Sequence, residues 1–245
     1  MAKSSAVPAL DFLSAASKYE VKPICAVYGD ETFLKREVLT LLRAMVLGGH
    51  DGDFSLKQVL GKNAEWRDVH DALTMVSLFG SGRPLVIIEE ADPFVTRYRS
   101  ELEDYAAKPS GGVLILEVQS WPANTRLAKA VAKSGLPLEC KAPNEGRAKR
   151  WLADWAKRHH QAQLDVGAAD ALWDLLPPEL GILQQEIAKL ALLAGEDKTI
   201  TLELVQQHVG GWRTRTAWEM IDSVALGDAS TAGEQLDRLM RGGVQ

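Results

Sequence analysis

The segment Gly29-Asp30-Glu31-Thr32-Phe33-Leu34-Lys35-Arg36 follows the apolar run Ile24-Cys25-Ala26-Val27-Tyr28. A strand running through a glycine turn into a helix is where a phosphate-binding loop would stand. A working loop reads G-x-x-x-x-G-K-[ST]. Its glycines let backbone N–H groups curl round the phosphates, its lysine reaches the β and γ oxygens, and its hydroxyl holds Mg²⁺. Here Gly29 and Lys35 take the places of the first glycine and the lysine, but Leu34 replaces the second glycine and Arg36 the hydroxyl. Asp30 and Glu31 set two carboxylates against any polyphosphate, whereas at a helix start acids complement the dipole. The loop keeps its place in the topology and loses its chemistry.

The strand-like run Val86-Ile87-Ile88 ends in Glu89-Glu90-Ala91-Asp92, as the acidic strand of a nucleotide site does. Without a phosphate cradle upstream, a metal there has no nucleotide to serve. Glu89 and Glu90 as general acid and base fare no better, because neighbours along a strand face opposite ways. Gly29, Leu34, Lys35, Arg36, Glu89 and Glu90 therefore make up a degenerate nucleotide site, not expected to bind. Cys25 and Cys140 stand alone in apolar stretches, which excludes a disulfide scaffold or a Cys-rich zinc site and suits buried thiols in a reducing compartment. The five histidines show no H-E-x-x-H spacing; His159-His160 follow Lys157-Arg158 at a helix end, and no G-x-S-x-G occurs. No catalytic residue, metal or cofactor is expected.

The segment Leu73-Thr74-Met75-Val76-Ser77-Leu78-Phe79-Gly80 points to binding instead. On a helix, Trp66, Val69, Leu73 and Val76 fall within roughly 80° of one another. Leu78 then lies about 160° from the centre of that stripe and Phe79 about 100° away. If the helix continues, Leu78 points to solvent; if it ends near Ser77, the pair sits on an exposed turn. Two large apolar side chains off the core face suggest a partner site. A turn that folds back would bury both.

The elements that must position these residues alternate in period. Apolar runs at 24–28, 54–60, 85–88, 113–116 and 136–140 read as strands. Between them lie helices: Leu34, Val38, Leu41, Leu42 and Met45 up to Gly48-Gly49; a helix through Trp66 with Asn63 as cap; a polar helix over 93–107; and another near 126–132. Continuous apolar strands separated by helices predict an α/β domain with a mostly parallel sheet covered on both faces. After Pro143 no strand-like run remains. Trp151, Leu152 and Trp155 share one face, and Val166, Ala169, Leu172, Trp173 and Leu176 another. Pro177-Pro178 precede Leu180, Leu183, Ile187 and Leu190, and Thr201 can cap a short helix. Past Gly210-Gly211 come two amphipathic patterns, one with Trp218, Ile221 and Ala225, the other with Ala232, Leu236 and Leu239. The expected domains are 1–143 (α/β), 144–211 (small, all-α) and 212–245, the opening helices of a third all-α domain cut short.

The chain has 245 residues and a formal charge of −5, from 28 Lys and Arg against 33 Asp and Glu. Nucleic acid could be met only through a local patch or a partner. Arg147, Lys149 and Arg150, with Lys157 and Arg158, are candidates for phosphate contacts, although a solvated helix face is the favoured reading of them; Arg97 and Arg99 carry the same ambiguity. No run of about 18 apolar residues occurs, so no membrane span is expected. Asp11 and Lys18 interrupt the start before a secretory core can form, and the cytoplasm is the expected compartment.

Three stretches carry a family resemblance: Val27-Tyr28-Gly29-Asp30-Glu31-Thr32-Phe33-Leu34, Ser77-Leu78-Phe79 ahead of Arg83-Pro84-Leu85-Val86-Ile87-Ile88, and the segment Leu180-Gly181-Ile182-Leu183-Gln184-Gln185-Glu186-Ile187-Ala188-Lys189-Leu190. In this order they resemble the delta family of bacterial DNA polymerase III clamp loaders. The resemblance implies an AAA+-like first domain without a nucleotide site, a small helical domain, and a helical collar that joins the other loader subunits. It implies that a Leu-Phe pair, matched by Leu78 and Phe79 with Ser77 beside them, enters an apolar pocket of the ring-shaped sliding clamp. The expected partners are that clamp, the ATPase and delta-prime type subunits, and primer-template DNA only within the assembly. The chain would serve DNA replication as an accessory subunit of a polymerase holoenzyme, with ATP hydrolysed by its partners. The alternatives are a divergent P-loop ATPase or nucleotide kinase using Lys35, and an AAA+-shaped adaptor for another protein.

Overall fold

Apolar residues in unbroken runs belong to strands covered on both faces, and these runs build the centre of the chain's first part. The computed structural model describes residues 6–48, 55–75, 83–209, 221, 223–228, 232, 233 and 236. The chain divides into two compact units, Met1–Ala142 and Pro143–Gln245.

In the first unit the strands are β1 (Val7–Pro8), β2 (Ile24–Tyr28), β3 (Leu56–Leu60), β4 (Leu85–Glu89), β5 (Val113–Val118) and β6 (Leu136–Glu139). They form one sheet in the order β1-β6-β2-β5-β4-β3, and every pairing is parallel. The expected α/β fold is what the chain adopts. β1 is an addition, a two-residue edge strand too short to show a period; its Pro8 is tolerated because an edge strand has a side with no ladder bond to donate. The helices are α1 (Ala9–Ser14), α2 (Thr32–Leu47), α3 (Trp66–Thr74), α4 (Asp92–Arg97), α5 (Arg99–Ala107) and α6 (Arg126–Ser134).

Strand parity divides the sheet. Ile24, Ala26, Val86, Ile88, Leu114 and Leu116 share a core with Val69 and Leu73 of α3, Phe94, Leu102, and Leu127 and Val131 of α6. The alternate residues Cys25, Val27, Leu85, Ile87 and Ile115 are equally buried on the opposite face, where α1 and α2 bring Phe12, Leu34, Val38 and Leu42. By this alternation Glu117, two residues beyond Ile115, points to the face that α2 covers.

Three local expectations change. The helix through Trp66 begins after Glu65, while Asn63 sits in the preceding turn with its N–H donating to the Leu60 carbonyl at 2.9 Å. That helix ends at Thr74, where Met75 turns extended at φ −62°, ψ 126°; Val76, expected on its apolar stripe, lies outside the described residues. The polar helix over 93–107 is two helices, broken at Tyr98, whose φ of −114° and ψ of 34° leave the helical region.

The second unit holds α7 (Glu145–His160), α8 (Val166–Leu175), α9 (Leu180–Leu193) and α10 (Leu202–His208). Asn144 caps α7 by accepting from the Arg147 N–H at 3.0 Å, and Thr201 caps α10 through the Leu204 N–H at 3.2 Å. The buried stripe Leu180, Leu183, Ile187 and Leu190 packs α9 against α7, whose Trp151, Leu152 and Trp155 face inward. Among the described residues the regular structure of this unit is helical except for a parallel pair of two-residue strands, β7 (Gln163–Leu164) and β8 (Thr199–Ile200). Val166, expected on the core face of α8, is 80% exposed because it is the first helical residue. Trp218 and Leu239 lie outside the described residues; of the same patterns, Ala232 is buried while Ile221 and Leu236 are about half exposed. No helix among the described residues is long and apolar enough to cross a membrane.

Candidate functional site

β2 delivers the degenerate loop to the carboxyl end of the sheet, and there its groups are taken up one by one. Gly29 has φ +129°, and a Cβ on it would stand 2.2 Å from the Cys140 carbonyl oxygen. The chain after β6 thus lies directly on the loop: the Cys140 N–H donates to the Tyr28 carbonyl at 2.6 Å, and the Glu31 N–H donates to the Cys140 carbonyl at 3.0 Å. Glu31 caps α2, its Oε1 accepting from the Phe33 N–H at 3.2 Å, as a carboxylate at a helix start should. N–H groups that a phosphate loop would aim at an anion are turned on the protein itself. Leu34 is in the core and Arg36 is exposed, its guanidinium 5.6 Å from the Phe33 ring centre.

Lys35 is buried, and its Nζ lies 2.6 Å from Glu117 Oε1. Glu117 Oε2 accepts from the Glu90 N–H at 2.9 Å, and the Glu117 carbonyl accepts from the Ala91 N–H at 2.7 Å. β4 ends at Glu89, whose Oε1 accepts from Gln58 Nε2 at 2.8 Å. Glu90 is not the next strand residue, as the sequence suggested, but part of a turn with φ +48°. That turn is packed so closely that a Cβ on Gly61 would lie 2.4 Å from the Glu90 carbonyl oxygen. Asp92 holds its other side, Oδ2 accepting from the Gln119 N–H at 3.0 Å. Glu117 was missed in the sequence. Its only signal is one acid inside the apolar run Val113-Leu114-Ile115-Leu116-Glu117-Val118, far along the chain from Lys35.

The two thiols and Tyr28 hold their protons. Burial pushes the Cys140 thiol up to about 12 against the pull of Lys35, and burial likewise takes Cys25 to about 12. Tyr28 rises to about 12 by burial and the nearby Glu139. Among the described residues no group of three or more His, Cys, Asp or Glu side chains could hold a metal ion.

Ser77, Leu78 and Phe79 lie outside the described residues; what the structure gives is the two flanks of their segment. At the first, the Leu73 carbonyl accepts from Ser110 Oγ at 3.1 Å, and a Cβ on Gly112 would lie 2.6 Å from that same carbonyl oxygen. At the second, Arg83 Nε donates to the Gly111 carbonyl at 3.0 Å, and the Val113 N–H to the Pro84 carbonyl at 2.7 Å. Both flanks rest on one turn, residues 110–112.

The basic candidates on α7 are committed locally. Lys149 Nζ lies 2.7 Å from Asp170 and 2.5 Å from Glu145, and these acceptors raise its pKa, Asp170 foremost. Arg150 Nε donates to the Gly146 carbonyl at 3.0 Å, and Arg158 Nε to the Asp154 carbonyl at 3.3 Å. Arg147 lies in the first turn of the helix, its N–H donating to the Asn144 cap. His159 stacks on Trp155 at 3.7 Å between ring centres, and partial burial lowers its pKa. In the first unit, Arg97 pairs with Glu65 at 3.0 Å.

No family model matches the chain. It is 27% identical to DNA polymerase III subunit delta of Bacillus subtilis (strain 168) over an alignment of 226 positions that covers 87% of this chain. The match covers 64% of that protein, so the chain spans just under two thirds of the curated relative's length. The solved structure of the Bacillus subtilis DNA clamp loader delta protein superposes with a TM-score of 0.69 at 23% identity, over 97% of this chain and 73% of that one. In sequence and in fold, then, this chain is similar to the delta subunit of the bacterial DNA polymerase III clamp loader.

Proposed function

We propose that this chain is a delta-type clamp-loader subunit that binds the sliding clamp and opens it, or holds it open, for loading onto primed DNA. The observation that carries the reading is the pairing of Lys35 with Glu117. In a fold like that of a loader delta protein, the one cation left from a phosphate loop is already neutralised from within, so the chain acts by binding and leaves ATP to its partners. Leu78 and Phe79 are the anchor of that binding, with Ser77 beside them. A few buried apolar or aromatic side chains supply most of the affinity of such contacts. The contact opens a ring only through its greater affinity for the open state. Other loader subunits, of the ATPase and delta-prime types, join through the collar, and primer-template DNA is met in that assembly.

The test is clamp binding by the Leu78→Ala/Phe79→Ala variant beside wild type, with circular dichroism as the control for folding. Each alanine should weaken binding by about 2 kcal/mol, roughly thirtyfold in Kd. A double variant that folds and binds the clamp as wild type does removes the assignment. Calorimetry with Mg-ATP should give no binding heat; saturable heat abolished by Lys35→Ala would restore the ATPase reading.

A further inference from the structure

Among the described residues Lys35 is the one charged residue that is buried, at 6% exposure. A buried ammonium needs an anion. Glu117 supplies it with one oxygen and, with the other, holds the Glu90 N–H. Glu90 has φ +48°, a conformation that a non-glycine residue keeps only where its surroundings impose it. The carboxylate therefore joins three elements at one point: α2 through Lys35, β5 on which it sits, and the turn between β4 and α4. In a nucleotide-binding fold, the loop lysine and the end of the acidic strand meet at the phosphates and their metal.

We infer that Glu117 is a built-in replacement for the phosphate, a fixed carboxylate that Lys35 and the Glu90 N–H bind in its place. The first unit thus holds its loop helix and its β4–α4 turn in a bound-like arrangement with no nucleotide. This rests on reading 29–36 as an emptied phosphate loop and not on what Leu78 and Phe79 bind. It differs from an ordinary internal ion pair in one respect. If Glu117 stands in for phosphate, removing it leaves a cavity with a lysine and an N–H donor still aimed at an anion.

The experiment is hydrogen exchange at the Glu90 amide together with thermal unfolding, in the full chain, with inorganic phosphate at millimolar concentration against chloride of matched ionic strength. In wild type, phosphate changes neither reading. In Glu117→Ala, exchange at Glu90 speeds up about tenfold or more, as expected for losing a bond to a charged acceptor. Phosphate restores the protection and raises the unfolding temperature above the chloride control. Both restorations vanish in Lys35→Ala/Glu117→Ala. Should Glu117→Ala not fold, Glu117→Gln keeps the side-chain shape and an acceptor for the Glu90 N–H; phosphate then raises its unfolding temperature through the unpaired Lys35. A wild type that responds to phosphate, or Glu117 variants that respond no more than to chloride, overturns the inference. Neither reading involves the clamp, and clamp binding by the Leu78 and Phe79 variants is measured apart from both, so failure of this inference and failure of clamp binding are distinguishable.

Discussion

Lys35 and Glu117 are the clearest case of a residue whose type announces one chemistry and whose surroundings enforce another. With side chains 8% and 15% exposed, the pair is worth little against a well-packed apolar substitute but is costly to break, because the survivor is left charged and unpaired. Lys35→Met should therefore lower the free energy of unfolding in urea by about 3 kcal/mol. A loss below about 1 kcal/mol would mean that water reaches Glu117 and that the pair behaves as a surface one. The two thiols follow the same logic of burial. Cys25 and Cys140 ionise near 9.0 when unfolded and near about 12 when folded. Their folded-state values are raised, so their contribution is whole below pH 9 and drains away as pH climbs from 9 toward 12, where the unfolded thiols give up protons that the folded ones keep. The free energy of unfolding in urea should fall across that window, with a slope approaching about 1.4 kcal/mol per pH unit for each thiol. In Cys25→Ala/Cys140→Ala that slope should flatten; an equal slope would assign the loss to other groups, such as Tyr28.

Elements with long, regular patterns were legible in the sequence, and those fixed by contact were not. β2, β4 and β5 are continuous apolar runs that only a doubly covered sheet accommodates, and the stripe Leu180, Leu183, Ile187 and Leu190 is buried as its spacing demands. β1, β7 and β8 have two residues each, too few for any period, and their partners lie far along the chain. The departure of residues 29–36 from a phosphate-loop pattern was visible in Leu34 and Arg36, since these are local replacements. The partner of Lys35 was not, because Glu117 reaches it only once β5 lies beside β2. The end of α3 is also set by tertiary contact: Ser110 bonds the Leu73 carbonyl and Gly112 presses on it. Backbone stands where a side chain at 112 would go, so Gly112→Ala must push α3 away from β5. The expected cost is about 2 kcal/mol or more in thermal or urea unfolding. Ser110→Ala, which removes one bond and adds no atoms, should cost about 1 kcal/mol. If Gly112→Ala proves no worse than Ser110→Ala, the close approach is not what ends the helix.

The chain as a whole carries a charge of −5, which sets the terms on which it can meet DNA. Binding to a duplex is driven by cations that displace condensed counterions, so it needs lysines and arginines that are not already neutralised. On α7 the nearest thing to such a patch is compromised, since Lys149 sits between Asp170 and Glu145, and Arg150 and Arg158 are turned back on carbonyls of their own helix. A net negative chain with its best cations so engaged should bind a labelled primer–template by itself more weakly than about 10⁻⁴ M at about 0.15 M salt in a polarisation assay. DNA contact would then need a partner that supplies the positive field. The opposite result has a definite signature: micromolar binding that weakens steeply with salt and is lost in Arg147→Ala/Arg150→Ala. That would mean the helix releases its arginines when phosphate approaches, and that this chain touches the DNA directly.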